Sequence, residues 1–475
     1  MTSAILVVGL LALAALAIAA VRPTWRLPAV AFALLAIPGN VDDLLPQMVL
    51  DPHDITDILA PIVTSIDLLI VWAVLLTVRE RRDPGPLGRR IIALAAILAT
   101  VATITALVNM VGGVDPAGVV RGTVLWWRIV ALLYLGCALR DALGNGRLLG
   151  LAIVAGGIVL LGNGVYTTFG GELTRFTAKT FGRNGLAVAL TVVTVVGTAV
   201  TADLWTRPAR PMERWLAAGT AVAAGLSLFA MSATGTRMAF LVLVVAGIAA
   251  LVFYPGRLTR HAIPGIVVTV LAAVVILGAS VLWTTAGGRT VSVITEPDTT
   301  VDVVTDPGSV PTETEIRSRG EFWNLAIQMA RANPLTGVGP FQWNVVRYDL
   351  DPEGPVVVAD SHDTYLQIAA EYGFVTLALY GVLLLFAVVL IGRSLVRIAD
   401  RERLGWAGMG IVIASGIIPI AALTNAHLIN PRNGPLEWLL LAAATGLCLA
   451  VREAVEAEAP ATDATTAHPA PSVAG

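Results

Sequence analysis

Apolar residues run almost unbroken over segments of bilayer-crossing length, with short polar stretches between them. The runs fall at about 3–21, 27–39, 58–78, 91–111, 124–140, 148–165, 185–203, 215–231, 237–254, 264–283, 366–391, 405–424 and 436–451. A span needs roughly 20 residues, fewer when its polar ends are included. The second run is short, with Pro38 and Pro46 in its surroundings. The pattern therefore predicts an all-α polytopic membrane protein with 12–13 transmembrane helices. No basic residue precedes the first run and no clear small-residue cleavage site follows it, so it is expected to be a retained helix rather than a cleaved signal. The boundaries divide the chain into an N-terminal helix bundle at 1–283, a large polar loop at 284–361, C-terminal helices at 362–451 and a tail at 452–475.

Arginine distribution orients these spans. Val78–Arg90, Arg140–Arg147, Arg207–Arg214, Arg257–His261 and Arg393–Arg403 are basic and alternate consistently, which assigns all five to the cytoplasmic side. The opposite loops, including Asn40–Asp57, Gly112–Arg121, Asn163–Asn184, Ser232–Arg237, Thr284–Ser361 and Thr424–Pro435, are then external. Within the large loop, Thr290–Ile316 is rich in Thr, Val, Asp and Pro and is expected to be extended or mobile. Ser318–Arg331 reads as a short amphipathic helix whose Phe322, Trp323, Ile327 and Met329 suit a membrane interface. Asn333-Pro334 ends it. The Ala-, Pro- and Glu-rich tail reads as disordered.

Composition agrees: 56% of the 475 residues are hydrophobic and only 13% are charged. The net charge of −2 and the lack of a basic tract give no support for a nucleic-acid partner. Cys137 and Cys448 lie inside apolar runs and form no metal or redox spacing. The chain has no Walker A, GxSxG, HExxH or dinucleotide fingerprint, so nucleotide-driven chemistry and cofactors are not expected. It also lacks clear internal repeats, the mark of many transporters.

Candidate chemistry gathers on the external side. Arg317–Gly373 combines an arginine cluster, a glycine turn and His362 at a helix start, a set suited to anionic, phosphate-type chemistry at a membrane surface. Asp360 or Ser361 is placed to cap the next helix, which would put His362 in its first turn. His362 is either a general base or an interfacial histidine bonded to a loop carbonyl. Arg237 and Arg319 lie on the side that the positive-inside bias disfavours, although a snorkelling or neutralised arginine explains each as well. Arg175, Lys179 and Arg183 follow a spacing of four, which fits one helical face. They suit a lipid headgroup, a pyrophosphate or a plain anionic-lipid anchor. Arg121, Arg128 and Arg432 are weaker candidates. Asp42-Asp43 reads as a solvated pair, and no metal site is expected. Gly337 and Gly339 either cradle an anion or make a simple turn. The large loop is net acidic, with five arginines against eleven acids, so its basic residues stand out.

Four stretches, SATGTR at 232–237, RGEFWNLAIQMAR at 319–331, NPLTGVG at 333–339 and HDTYLQIAAEYG at 362–373, resemble the O-antigen ligase / O-antigen polymerase superfamily. FGRNGL at 181–186 fits more loosely. Asp363 departs from the asparagine that commonly follows the histidine in that family. The resemblance implies a GT-C-like, metal-independent, inverting glycosyltransferase of the bacterial plasma (inner) membrane. Its site faces the periplasm, and its donor is a polyprenyl diphosphate-linked glycan. The acceptor is a hydroxyl on a glycan, a lipid or a protein. Carried over by position, Arg237 and Arg319 bind the diphosphate and His362 is the catalytic residue. Ligase, polymerase and protein O-glycosyltransferase share these motifs. A transporter or flippase of lipid-linked glycan is the alternative from another class. It would place polar groups near the centres of several helices, whereas the runs here are mostly clean.

Overall fold

The computed structural model describes residues 2–37, 39–45, 47–49, 59–169, 182–206, 211–234, 243, 245–247, 319–351, 361–397, 404–424 and 433–458. In chain order these form helices α1 Thr2–Ala19, α2 Pro23–Ala36, α3 Ser65–Arg79, α4 Gly85–Val111, α5 Pro116–Ala138, α6 Arg140–Leu143, α7 Arg147–Phe169, α8 Gly182–Trp205, α9 Pro211–Ala233, α10 Arg319–Ala332, α11 Trp343–Leu350, α12 Thr364–Arg397, α13 Gly405–Ala421 and α14 Asn433–Glu458. Between α2 and α3, β1 (Gln47–Val49) pairs antiparallel with β2 (Leu59–Pro61). The protein is an all-α polytopic membrane protein. Among the described residues, seven helices are long and apolar enough to cross a membrane: α4, α5, α7, α8, α9, α12 and α14. Eleven of the thirteen expected runs coincide with described helices. Those at 237–254 and 264–283 lie almost entirely outside the described residues, as do Thr290–Ile316 and the end of the tail from 459.

Two boundaries differ from the expectation: α14 stays helical to Glu458, past the start at 452 of the stretch read as a disordered tail, and α3 begins late. The run at 58–78 enters as strand β2 and turns helical only at Ser65. Thr64 and Asp67 form a reciprocal capping box there, satisfying amides that the first helical turn leaves open.

Helices cross closely where small residues meet. A Cβ on Gly136 of α5 would lie 2.2 Å from the Ala442 carbonyl oxygen of α14, and one on Gly446 would lie 2.1 Å from the Gly136 carbonyl oxygen. Backbones approach this closely only without side chains between them, a packing solution suited to membranes. Exposed Leu, Val and Ile side chains such as Leu68, Val71, Leu75, Ile97, Ile104 and Leu385 cover the outer faces, where lipid tails would meet them.

Polar contacts separate the bundle into two ends. At one, Arg140 bonds Glu453 at 2.7 Å and the Asp83 carbonyl at 2.6 Å, and Arg147 bonds Glu213 at 3.2 Å. Buried Arg26 joins the turn between α1 and α2 to Thr77 and Glu80 at the end of α3. The basic loops at 78–90 and 140–147 and the start of α9 at 211–214 therefore meet at this end. At the other end lie the α4–α5 turn, the segment after α10 and the start of α12.

Candidate active site at the start of helix α12

Three segments from the large loop assemble on one another before the chain re-enters the bundle. The amphipathic stretch folds as α10. Its buried stripe is Phe322, Leu325, Ala326 and Met329, at helical spacing, packed with Trp343 of α11 and Ala370 of α12. Trp323 and Ile327, expected along the interface, lie on its half-buried flank. This apolar face is satisfied by protein. Helix α11 gives no strong signal in the sequence. It buries Trp343 and Arg347, whose guanidinium lies 4.5 Å above the ring of Tyr348.

His362 does not occupy the first turn of α12. It precedes the cap, and the cap is Asp363. The Asp363 carboxylate accepts from the Leu366 N–H at 2.8 Å and its carbonyl accepts from the Gln367 N–H at 3.0 Å. Ser361 does not cap the helix; its hydroxyl donates to the Asp363 carbonyl at 2.8 Å. Asp360 lies outside the described residues. The Ser361 N–H donates to the Gln367 side-chain oxygen at 2.8 Å, and the Gln367 amide donates to Glu371 at 2.8 Å. Residues on both sides of the histidine are thus fixed. The histidine itself takes a left-handed conformation at φ 56°. Histidine visits that region more than most residues, but such a backbone is uncommon and clusters at functional sites. The half-buried ring meets Phe322 edge-on, with centroids 5.8 Å apart. Burial pushes the Asp363 carboxyl above its ordinary range, although the backbone amides of Leu366 and Tyr365 pull the other way.

Arg319 opens α10 one turn before Phe322, so its backbone stands next to the residue that touches the histidine. Arg183 opens α8. Arg237, Arg175, Lys179 and Arg432 lie outside the described residues.

Here one expectation changes and one open alternative is decided. Asp42 is buried rather than solvated, and its carboxylate accepts from the Ser65 N–H at 2.7 Å, which ties the first loop to the start of α3. Gly337 and Gly339 do form a turn, but its amides are committed. Gly337 donates to Asn333, Val338 to Ala370 at 2.8 Å and Gly339 to Glu371 at 3.0 Å. They are not donors for an anion.

Of the weaker candidates, Arg128 is structural. It bonds Asp67 through two nitrogens at 2.5 and 2.7 Å, with both side chains buried. This is a paired charge about halfway along α5. Arg121 is buried, donates to the Pro61 carbonyl at 2.9 Å and lies 4.7 Å over the Phe341 ring. Gln367 and Glu371 were missed from the sequence. Their signal was legible, because Asp363, Gln367 and Glu371 recur every four residues on one helical face.

Residues 221–381, about a third of the chain, match the family model described as O-antigen ligase. The match contains Arg237, Arg319 and His362. Nothing among curated proteins matches the chain closely enough to count.

Proposed function

The chain carries an O-antigen ligase domain at residues 221–381, and on that premise we propose that it is a membrane glycosyltransferase taking a glycan from a polyprenyl diphosphate carrier. The receiving group is an acceptor hydroxyl at the external face of the bacterial plasma membrane. The observation that carries this reading is the His362 turn. A half-buried imidazole is held in an uncommon backbone conformation between fixed neighbours, beside the helix that Arg319 opens. It lies at the end of the bundle opposite the basic loops, which positive-inside bias assigns to the cytoplasm.

His362 in its neutral form accepts the proton of the acceptor hydroxyl as that oxygen attacks the anomeric carbon. The sugar–phosphate bond breaks on the far face, which inverts the configuration. The diphosphate leaves as an anion. Arg237 and Arg319 hold its oxygens, since guanidinium matches phosphate geometry and keeps its charge at working pH. Removing one such electrostatic partner lowers the rate by on the order of 10²–10³. Arg175, Lys179 and Arg183 serve the donor lipid. The chemistry needs no metal, so activity is expected to persist in EDTA. Loss restored by Mg²⁺ would contradict this.

The test is turnover in proteoliposomes with a lipid-diphosphate-linked glycan, following diphosphate release and product size. His362→Ala is expected to abolish transfer in a protein that still inserts, and near-normal turnover would remove the histidine from the mechanism. Acceptor-dependent release identifies a ligase. Chain lengthening without added acceptor identifies a polymerase. Glycan crossing the bilayer without release identifies a transporter.

A further inference from the structure

Helix α12 is broken at Gly373, nine residues after its start, where φ is 80° and ψ 172°. This region is essentially reserved for glycine. A break inside an apolar run leaves backbone groups without helical partners, and each unsatisfied group carries a severe penalty in an apolar setting. Here the turn after α10 supplies them. Val338 and Gly339 donate to the Ala370 and Glu371 carbonyls, while Phe374 donates back to the Pro334 carbonyl at 2.8 Å. The fit is tight: a Cβ on Gly337 would lie 2.3 Å from the Glu371 carbonyl carbon, and one on Gly373 would lie 2.4 Å from the Leu335 oxygen.

The strap of residues 333–341 is also fastened to the bundle. Asn109 of α4 donates to the Thr336 carbonyl at 2.9 Å, Arg121 covers Phe341, and Gly122 of α5 leaves room for Pro340 and the Tyr372 hydroxyl. Phe341 is itself left-handed at φ 58°. Trp126 meets Tyr372 before the break and Tyr380 after it, with ring centroids 5.3 and 6.0 Å away.

We propose that this strap and the Gly373 break form a positioning device for His362. The break detaches Thr364–Tyr372 from the transmembrane part of α12. The strap then fixes that nine-residue piece against α10 and α11, so the histidine at its start is aimed by the external layer rather than by the long helix. Phe374–Val396 still spans, since about 20 residues suffice. Gly373, Gly337 and Asn109 are positioning residues. Their effect on turnover rests on His362 being catalytic, whereas their effect on geometry does not.

The experiment therefore reads both. Phe322→Cys with His362→Cys reports proximity through a short bifunctional thiol cross-linker, and native Cys137 and Cys448 are buried. Efficient cross-linking is expected in the otherwise native chain, with a clear loss when Gly373→Ala is added. In the single variant Gly373→Ala, kcat is expected to fall by about 10²-fold, as for a reacting group displaced by about 1 Å, with donor KM little changed. Should Gly373→Ala fail to fold, Asn109→Leu removes one fastening and leaves the strap's backbone bonds. It is expected to shift both readouts in the same direction, less far. Undiminished cross-linking in both variants, or in Asn109→Leu alone where Gly373→Ala fails to fold, overturns the proposal. Full turnover in His362→Ala overturns the catalytic reading instead and leaves the cross-linking result standing.

Discussion

Asp363 stands where the family it resembles commonly has asparagine, and its work as helix cap explains why either residue fits. Both place an oxygen for the Leu366 N–H. They differ in charge. The Asp363 carboxyl is pushed up by burial. The ionised form is therefore disfavoured in the folded state, and no penalty exists below the unfolded pKa of about 3.9. It develops as pH rises through the folded pKa. Asp363→Asn is thus expected to retain activity and to be slightly more stable at neutral pH, with the difference vanishing in acid. Asp363→Ala removes the cap and is expected to lower stability by about 1 kcal/mol. Thermal unfolding in detergent between acid and neutral pH checks both. The cap residue was missed because Asp360, Ser361 and Asp363 are all competent cappers. Only the hydrogen bonds distinguish them.

Among the elements, helix α5 holds two of the bundle's close crossings. Arg128 pairs with Asp67 of α3, and Gly136 admits α14. Arg128→Ala leaves a buried carboxylate without its partner and is expected to lower stability by about 3–5 kcal/mol. Because Arg128 is committed to Asp67 through two nitrogens, the fraction that folds is expected to keep wild-type donor KM. A selective rise in that KM would return Arg128 to the site. Gly136→Leu is expected to disrupt the α5–α14 crossing altogether, visible as loss of the monodisperse peak on size exclusion. Helix positions were legible because burial in lipid demands long apolar runs. The late start of α3 and the break in α12 were not. Hydropathy reports the medium around a segment and is blind to where its hydrogen-bond ladder begins or stops.

At the scale of the whole molecule, the arginine-rich segments among the described residues meet at one end and the His362 turn lies at the other. Exposed positions at the two ends make sidedness testable. A cysteine replacing Leu335 is expected to react with a membrane-impermeant maleimide added outside intact cells. One replacing Met212 is expected to react only after permeabilisation. Labelling of both from the same side would contradict the orientation. The buried native cysteines keep the background low.

The sequence by itself determined the all-α membrane class, nearly every helix among the described residues, and the motifs that mark His362 and Arg319 as candidates within one stretch of the chain. Each of these rests on local composition or on short contiguous patterns. The tertiary structure alone decided that Asp363 caps, that the Gly337–Gly339 amides serve the protein rather than an anion, and that α12 is two pieces. The cap is settled by bonds within one helical turn, and the other two by backbone bonds between residues 32 to 40 positions apart. A backbone amide carries no side-chain signature, so its distant partner becomes visible only once the chain is folded.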